Sequence, residues 1–248
     1  FADAWSRQKL VSKRDIVHNP PIINEEDFPW DAKPYWKKER TEQALLQIAS
    51  ANKQQLIWCG KEDVLALSGG NILVFLFICQ HIWDAWLRDT RGEDGITDAT
   101  LPDINEVVQS QGILEASDEW QKKQPEGAGS ANRRRFLATI GEYYYRKLTN
   151  DRAMSYPGLN GFSVNINELE QNQDVYSFLK TCVGYGDLYE APHTSKQKGE
   201  KRLKYYLAPI LCPHFKLPYR HTKEPDYVKP EKIMAWMTSR VEIQLPTP

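Results

Sequence analysis

The chain has 248 residues, 41% hydrophobic, 11% aromatic and 26% charged, with a formal net charge of −1. That composition belongs to a globular protein of one large domain or two small ones and excludes a disordered tail. The near-zero charge excludes a general nucleic-acid binder, and the longest apolar run, Ile72 to Cys79, is too short to cross a bilayer of about 30 Å.

The N-terminal stretch FADAWSRQKL lacks the apolar core of a signal peptide, so a cytoplasmic location is expected, with no membrane partner. Because the first residue is not Met, a piece of a longer protein is expected. Residues 1–33 read as a connecting arm, broken by HNPPI and DFPWDAKP. Pro34 then opens an amphipathic helix, YWKKERTEQALLQIASAN, and KEDVLALS forms a short second one that stops at a glycine pair. Asn71 to Leu87 is a third helix, and LPDINEVVQSQ with ASDEWQKK supplies further helical turns. Together, residues 34–123 form a helical bundle, followed by the linker 124–130, QPEGAGS.

A different rhythm follows over 131–228. ANRRRFLATIGEYYYRKLTN is a strong helix closed by Asn150 and Asp151. A short strand is expected at Phe162 to Val164, then an Asn-started helix, and then a helix over NQDVYSFLKTCVGYG that stops at Gly184 and Gly186. DLYEAP and RLKYYLAPIL, joined by the Lys- and Gly-containing HTSKQKGEK, have a hairpin pattern. The stretch APILCPHFKLPYRHTKEPDYV is expected to be extended and to wrap the domain. Residues 229–248 are expected to form a C-terminal helix and tail. The fold class is therefore mostly α with a small β-hairpin, an α+β chain. The order helix, strand, helix, helix, hairpin is that of a winged-helix domain.

Cys59, Cys79, Cys182 and Cys212 form no C-x-x-C pair and are expected to be reduced and packed. Cys79-Gln-His81 and Cys212-Pro-His214 do not make a metal site: two residues apart on a helix, Cys79 and His81 face different ways.

The third helix has apolar residues on every face from Ile72 to Cys79, which places it at the centre of its bundle. Gly69-Gly70-Asn71 at its start has two readings. In one, the glycines turn the chain and Asn71 caps the helix. In the other, missing Cβ atoms let the backbone approach a ligand beside the partial positive charge of a helix N-terminus. LSGGNILVFLFIC, behind two helices and ahead of the winged-helix pattern, resembles the helical lid of AAA+ and STAND-type NTPases. The order lid, then winged helix, resembles the origin-recognition branch of initiator ATPases and related bacterial defence ATPases. The resemblance covers about residues 34 to 228. It implies that Ser68, Gly69, Gly70 and Asn71 lie near a nucleotide, although Ile72 stands where the family often has Pro.

No G-x-x-x-x-G-K-[ST] phosphate loop occurs: Gly60-Lys61 is followed by Glu62, and Gln55 stands where the first glycine belongs. The chain alone has no catalytic residue to offer. ATP or ADP with Mg is a cofactor only if a nucleotide-binding core lies elsewhere in the full protein. That core, or neighbouring subunits of an oligomer, is the expected partner.

Between Pro192 and Lys223 eight lysines and arginines face one acid, Glu200. Lys196, Lys198, Lys201, Arg202 and Lys204, with Arg133, Arg134 and Arg135, are the candidates for contact with nucleic acid or a partner. The helix QDVYSFLKTCVGYG offers Gln173, Tyr176 and Lys180 but no basic cluster, so base-specific reading is not expected. His214 and His193 are expected to be packed or surface residues. The alternative to an NTPase regulatory portion is a stand-alone winged-helix DNA-binding regulator with a helical partner-binding domain. An enzyme with its site between the parts is a third reading, and no catalytic constellation supports it.

Overall fold

The computed structural model describes residues 34–89, 103–123, 129–194, 199–220 and 225–239. The expected arm 1–33, the centre of the linker, Lys196, Lys198 and the extreme C-terminal tail lie outside them.

Among the described residues five helices come first. α1 (Pro34–Ala51), α2 (Gly60–Leu67), α3 (Ile72–Asp89) and α4 (Glu106–Lys123) precede the long α5 (Ser130–Asn150). β1 (Gly161–Asn165), α6 (Ile166–Glu170), α7 (Gln173–Gly184), β2 (Leu188–Thr194) and β3 (Lys201–Leu207) follow in the expected order. The fold is therefore mostly helical with a small sheet, as the sequence indicates. LPDINEVVQSQ and ASDEWQKK belong to the single helix α4. Local chemistry sets the boundaries. Asn165 ends β1 and caps α6, its side chain accepting from the Asn167 N–H at 2.9 Å. Gly186, at φ +73, stops α7, and the Asp187 N–H returns to the Cys182 carbonyl at 2.9 Å.

The sheet has the order β2-β3-β1-β4, with β4 (Asp226–Tyr227) added parallel to β1 and the other pairs antiparallel. Alternation divides its faces. Leu188, Phe162, Val164, Tyr205 and Leu207 point to one side and are buried. Phe162 meets Phe136 of α5 and Trp236 of α8 (Pro230–Thr238) edge to face, and Phe136 meets Phe178 of α7 in the same way.

Two expectations need correction. The stretch beginning at Ala208 is not extended throughout. Pro209–Leu211 is a 3-10 turn, and Ile210, Leu211, Cys212 and Leu217 are buried. Proline at the turn's first position suits its φ, and four apolar side chains within nine residues draw the segment inward. Ser117 of α4 fastens it: its hydroxyl donates to the Ile210 carbonyl at 2.6 Å and accepts from the His214 N–H at 2.9 Å.

The second correction concerns α3, which lies on the outside of the bundle and not at its centre. It packs on α4, with Gly112 so close that a Cβ there would lie 2.5 Å from the Ile82 Cα. Val74, Ile78, Ile82, Ala85 and Trp86 face inward. The opposite side leaves Ile72, Leu73 and Leu76 exposed by 65%, 70% and 54%. An all-round apolar sequence carries no phase information, so nothing in it could say which face was covered.

α1 joins the second half of the chain. Gln43 and Gln47 donate side-chain N–H groups to the Leu148 carbonyl at 3.1 and 2.8 Å, and Gln47 also reaches the Asp151 carbonyl at 2.9 Å. These carbonyls belong to the C-terminal end of α5 and have no partner within that helix. One continuous apolar core runs from Leu46 through Ile78 and Ile113 to Phe162, Leu211 and Trp236.

Candidate functional site

Ser68 closes α2, and the chain turns through two left-handed residues, Gly69 at φ +57 and Gly70 at φ +77. L side chains avoid that region, so the backbone alone requires the glycine pair. The Gly69 N–H bonds the Ala66 carbonyl at 3.1 Å, and the Asn71 N–H bonds the Ser68 carbonyl at 2.9 Å. Asn71 then caps α3 by accepting from the Leu73 N–H at 2.9 Å. The buried Ser68 hydroxyl donates to the Leu65 carbonyl at 2.7 Å. The two glycines differ in surroundings. A Cβ on Gly69 would sit 3.5 Å from the Pro209 ring, whereas one on Gly70 would meet nothing within 4 Å. The turn thus rests on the 3-10 segment and presents open backbone on its other side.

Three hydrogen bonds fasten the start of α2. Asp63 accepts from the Cys59 N–H at 3.0 Å and from the Tyr219 hydroxyl at 3.2 Å, and Gln109 of α4 accepts from the Gly60 N–H at 2.8 Å.

A base or ribose, if one lay beside this turn, would meet no side chain at Gly70. Phosphates and Mg find no seat among the described residues. The chain has no phosphate loop, and among the described residues no group of three His, Cys, Asp or Glu side chains could hold a metal. Cys182 and Cys212 are buried, and burial pushes both thiols up, the Cys212 thiol to about 12, which leaves them inert as nucleophiles.

The basic candidates separate by burial. Arg133, 2% exposed, donates through Nε to Asp187 Oδ2 at 2.7 Å, and its guanidinium lies 3.7 Å from the centre of the Tyr185 ring. Arg202 is also buried: it donates to the Ser163 carbonyl at 2.9 Å and to the Ser163 hydroxyl at 3.1 Å, and sits 4.8 Å from the Tyr227 ring centre. Neither is a surface charge, which corrects their place among the contact candidates. Each places its planar guanidinium inside the fold instead. Arg134, Arg135 and Lys201 are exposed, and Lys204 is half-buried. Lys196 and Lys198 lie outside the described residues. On α7, Gln173, Asp174, Ser177 and Lys180 face solvent, and Lys180 pairs with Glu190 at 2.8 Å. His214 is half-buried and faces Asp118 at 2.5 Å, and His81 faces Glu119 at 3.5 Å. Both histidines tie neighbouring segments to α4.

Sequence reasoning missed the outward apolar side of α3 that starts at the glycine turn. Its signal was there, in the lack of any Asp, Glu, Lys or Arg between Asn71 and Trp83. No described helix is long and apolar enough to cross a membrane.

A helical bundle thus shares one core with a helix-backed sheet. The chain belongs to the ORC-CDC6-like family, whose model matches residues 6–225, and this relates it to the origin-recognition AAA+ proteins. The match takes in every element from α1 to the 3-10 turn and ends beside β4. No curated protein and no solved structure matches.

Proposed function

We propose that this chain is the lid and winged-helix portion of an AAA+ NTPase, sensing nucleotide through the Ser68–Asn71 turn and meeting a partner or nucleic acid through the β2–β3 hairpin. What supports the reading is one observation: α3 opens on bare backbone at Gly70 and continues as the uncharged side formed by Ile72, Leu73 and Leu76. An apolar surface of that kind on a soluble domain marks a protein contact. The partner that fits is the nucleotide-binding core, on the same polypeptide or on a neighbouring subunit, seated on α3 with its nucleotide beside the turn. The core supplies the phosphate loop and the Mg ligands, and this chain covers the base or ribose and excludes water. α5 to β3 form the winged helix, with α7 in the recognition position and the β2–β3 hairpin as the wing. The outward side chains of α7, Gln173, Asp174, Ser177 and a Lys180 already paired with Glu190, favour contact with a backbone or a protein over reading of base edges.

The test compares Gly70→Ala with Asn71→Ala in the intact ATPase by thermal melts with and without nucleotide. Loss of the cap costs roughly 0.5–2 kcal/mol of stability whether or not a nucleotide lies nearby. Gly70→Ala costs about 1 kcal/mol through its positive φ and, on this reading, also abolishes the stabilisation by nucleotide. Equal melting shifts, with nucleotide stabilisation kept in both variants, would reduce the glycine pair to a helix junction.

A further inference from the structure

We propose that the outward side of α3 is the seat of one amphipathic helix of the nucleotide-binding core, packed along Leu73, Leu76, Gln80, Trp83 and Leu87. This rests on the core contact in the function above and specifies the element that makes it.

Spacing points to a helix. Val74, Ile78, Ile82 and Ala85 form the buried side of α3, with Ile82 against Gly112 of α4. On the opposite side Leu73, Leu76, Gln80 and Trp83 are exposed and Leu87 is half-buried. Those five follow one another at intervals of three, four, three and four residues, the a and d spacing of a helix that packs on another at about 20°. Both sides of α3 are thus contact seams, and α4 fills one of them. The other runs from Leu73 to Leu87, about 21 Å, which a partner helix of about 14 residues spans. Two heptads are too few for a free-standing coiled coil, so the partner helix belongs to a larger folded body.

Two polar groups narrow the partner further. Gln80 is the polar side chain within the seam, and Asp84, half-buried, flanks it beside Trp83. Neither has a hydrogen-bond or ion-pair partner among the described residues. Covering the seam takes the Gln80 amide out of water, so the partner helix must present a polar group opposite it. Asp84 calls for a lysine or arginine on the flank of that helix. An apolar helix with one central amide and a basic flank is therefore the occupant.

A designed probe tests the seat on the full chain. A fluorescein-labelled peptide of about 21 residues would carry leucine at each a and d position, asparagine at the central a position, and lysine at e and g, whose mutual repulsion keeps it monomeric. Fluorescence anisotropy at about 0.15 M salt should show saturable binding. Leu73→Glu and Leu76→Glu should each weaken it at least tenfold, while Ile48→Glu, on the exposed side of α1, leaves it unchanged. Because these side chains are exposed, all three variants should keep the wild-type fold. Asp84→Asn should weaken binding by about 1.5- to 5-fold. Replacing the asparagine of the peptide by leucine should weaken binding to the wild type and strengthen binding to Gln80→Leu, a reversal that general stickiness does not produce. Absence of binding, or binding indifferent to Leu73→Glu and Leu76→Glu, overturns the helix seat and leaves the glycine turn to be judged by the melts with nucleotide. A chain that sediments as a dimer, and as a monomer once Leu76→Glu is made, also overturns it, because a second copy then fills the seam.

Discussion

Arg133 shows how little a charge count says about a charge. In sequence it is the first of three consecutive arginines, and only its neighbours reach solvent. Asp187, 54 positions away, takes it into the interior as an ion pair between the start of α5 and the start of β2. Burial pushes the Asp187 carboxyl up, against the pull of the Arg133 charge. Such a pair adds little over an apolar replacement, but breaking it strands a buried charge. Arg133→Ala should therefore cost about 3–5 kcal/mol in urea unfolding, and the double variant Arg133→Met with Asp187→Leu should recover most of that loss. If Arg133→Ala were as mild as Arg134→Ala, the pair would not be the anchor that its geometry indicates.

At the scale of elements, α3 and α4 approach each other backbone to backbone. A methyl on Gly112 would drive into the Ile82 backbone, and backbone cannot rotate aside as a side chain can. Gly112→Ala should lower stability by about 1–3 kcal/mol or more and shift α3 on α4, visible in the near-ultraviolet signal of Trp83 and Trp86. An unchanged melt would mean that the helices are looser than this packing implies. Much of the fold was legible in the sequence: Pro34, Asn71, Asn165 and Gly186 marked starts and stops through local chemistry, and the hairpin declared itself by alternation. Positions decided by distant partners were not legible. The outward face of α3, the burial of Arg202 under Tyr227 and the inward course of Pro209 to Leu217 all depend on pairings across the chain. In the candidate site the glycine turn was readable, because positive φ is a local demand. The apolar side that continues from it was recorded only as composition, without a direction.

At the scale of the molecule, Asp226 joins three elements. It accepts from the Tyr143 hydroxyl and from Lys147 of α5 at 2.8 and 3.0 Å, and Lys232 of α8 stands 3.6 Å away. Burial pushes its carboxyl up, but hydrogen bonds from Lys147 and Tyr143 and the charges of Lys147 and Lys232 outweigh it and hold the group below its usual range. A folded-state pKa below the unfolded one gives stability that is present above about pH 4 and lost as pH falls through the folded value. Asp226→Asn should therefore melt below the wild type near neutrality, with the gap closing as the pH falls below the ordinary carboxylate range. A gap of constant size down to acid pH would assign the residue's worth to shape and not to charge.

The continuous core has a further consequence for how this chain can be divided. α1 seats itself on the end of α5, and the segment after β3 returns to fill the space beneath α2 and α4. A chain broken between Lys123 and Gly129 would leave two pieces, each holding part of the other's interior. Neither could be exchanged for a homologous piece on its own. In recombination between relatives, a crossover at this linker would have to carry matching partners on both sides, so the stretch that looks most like a seam is a poor place to cut.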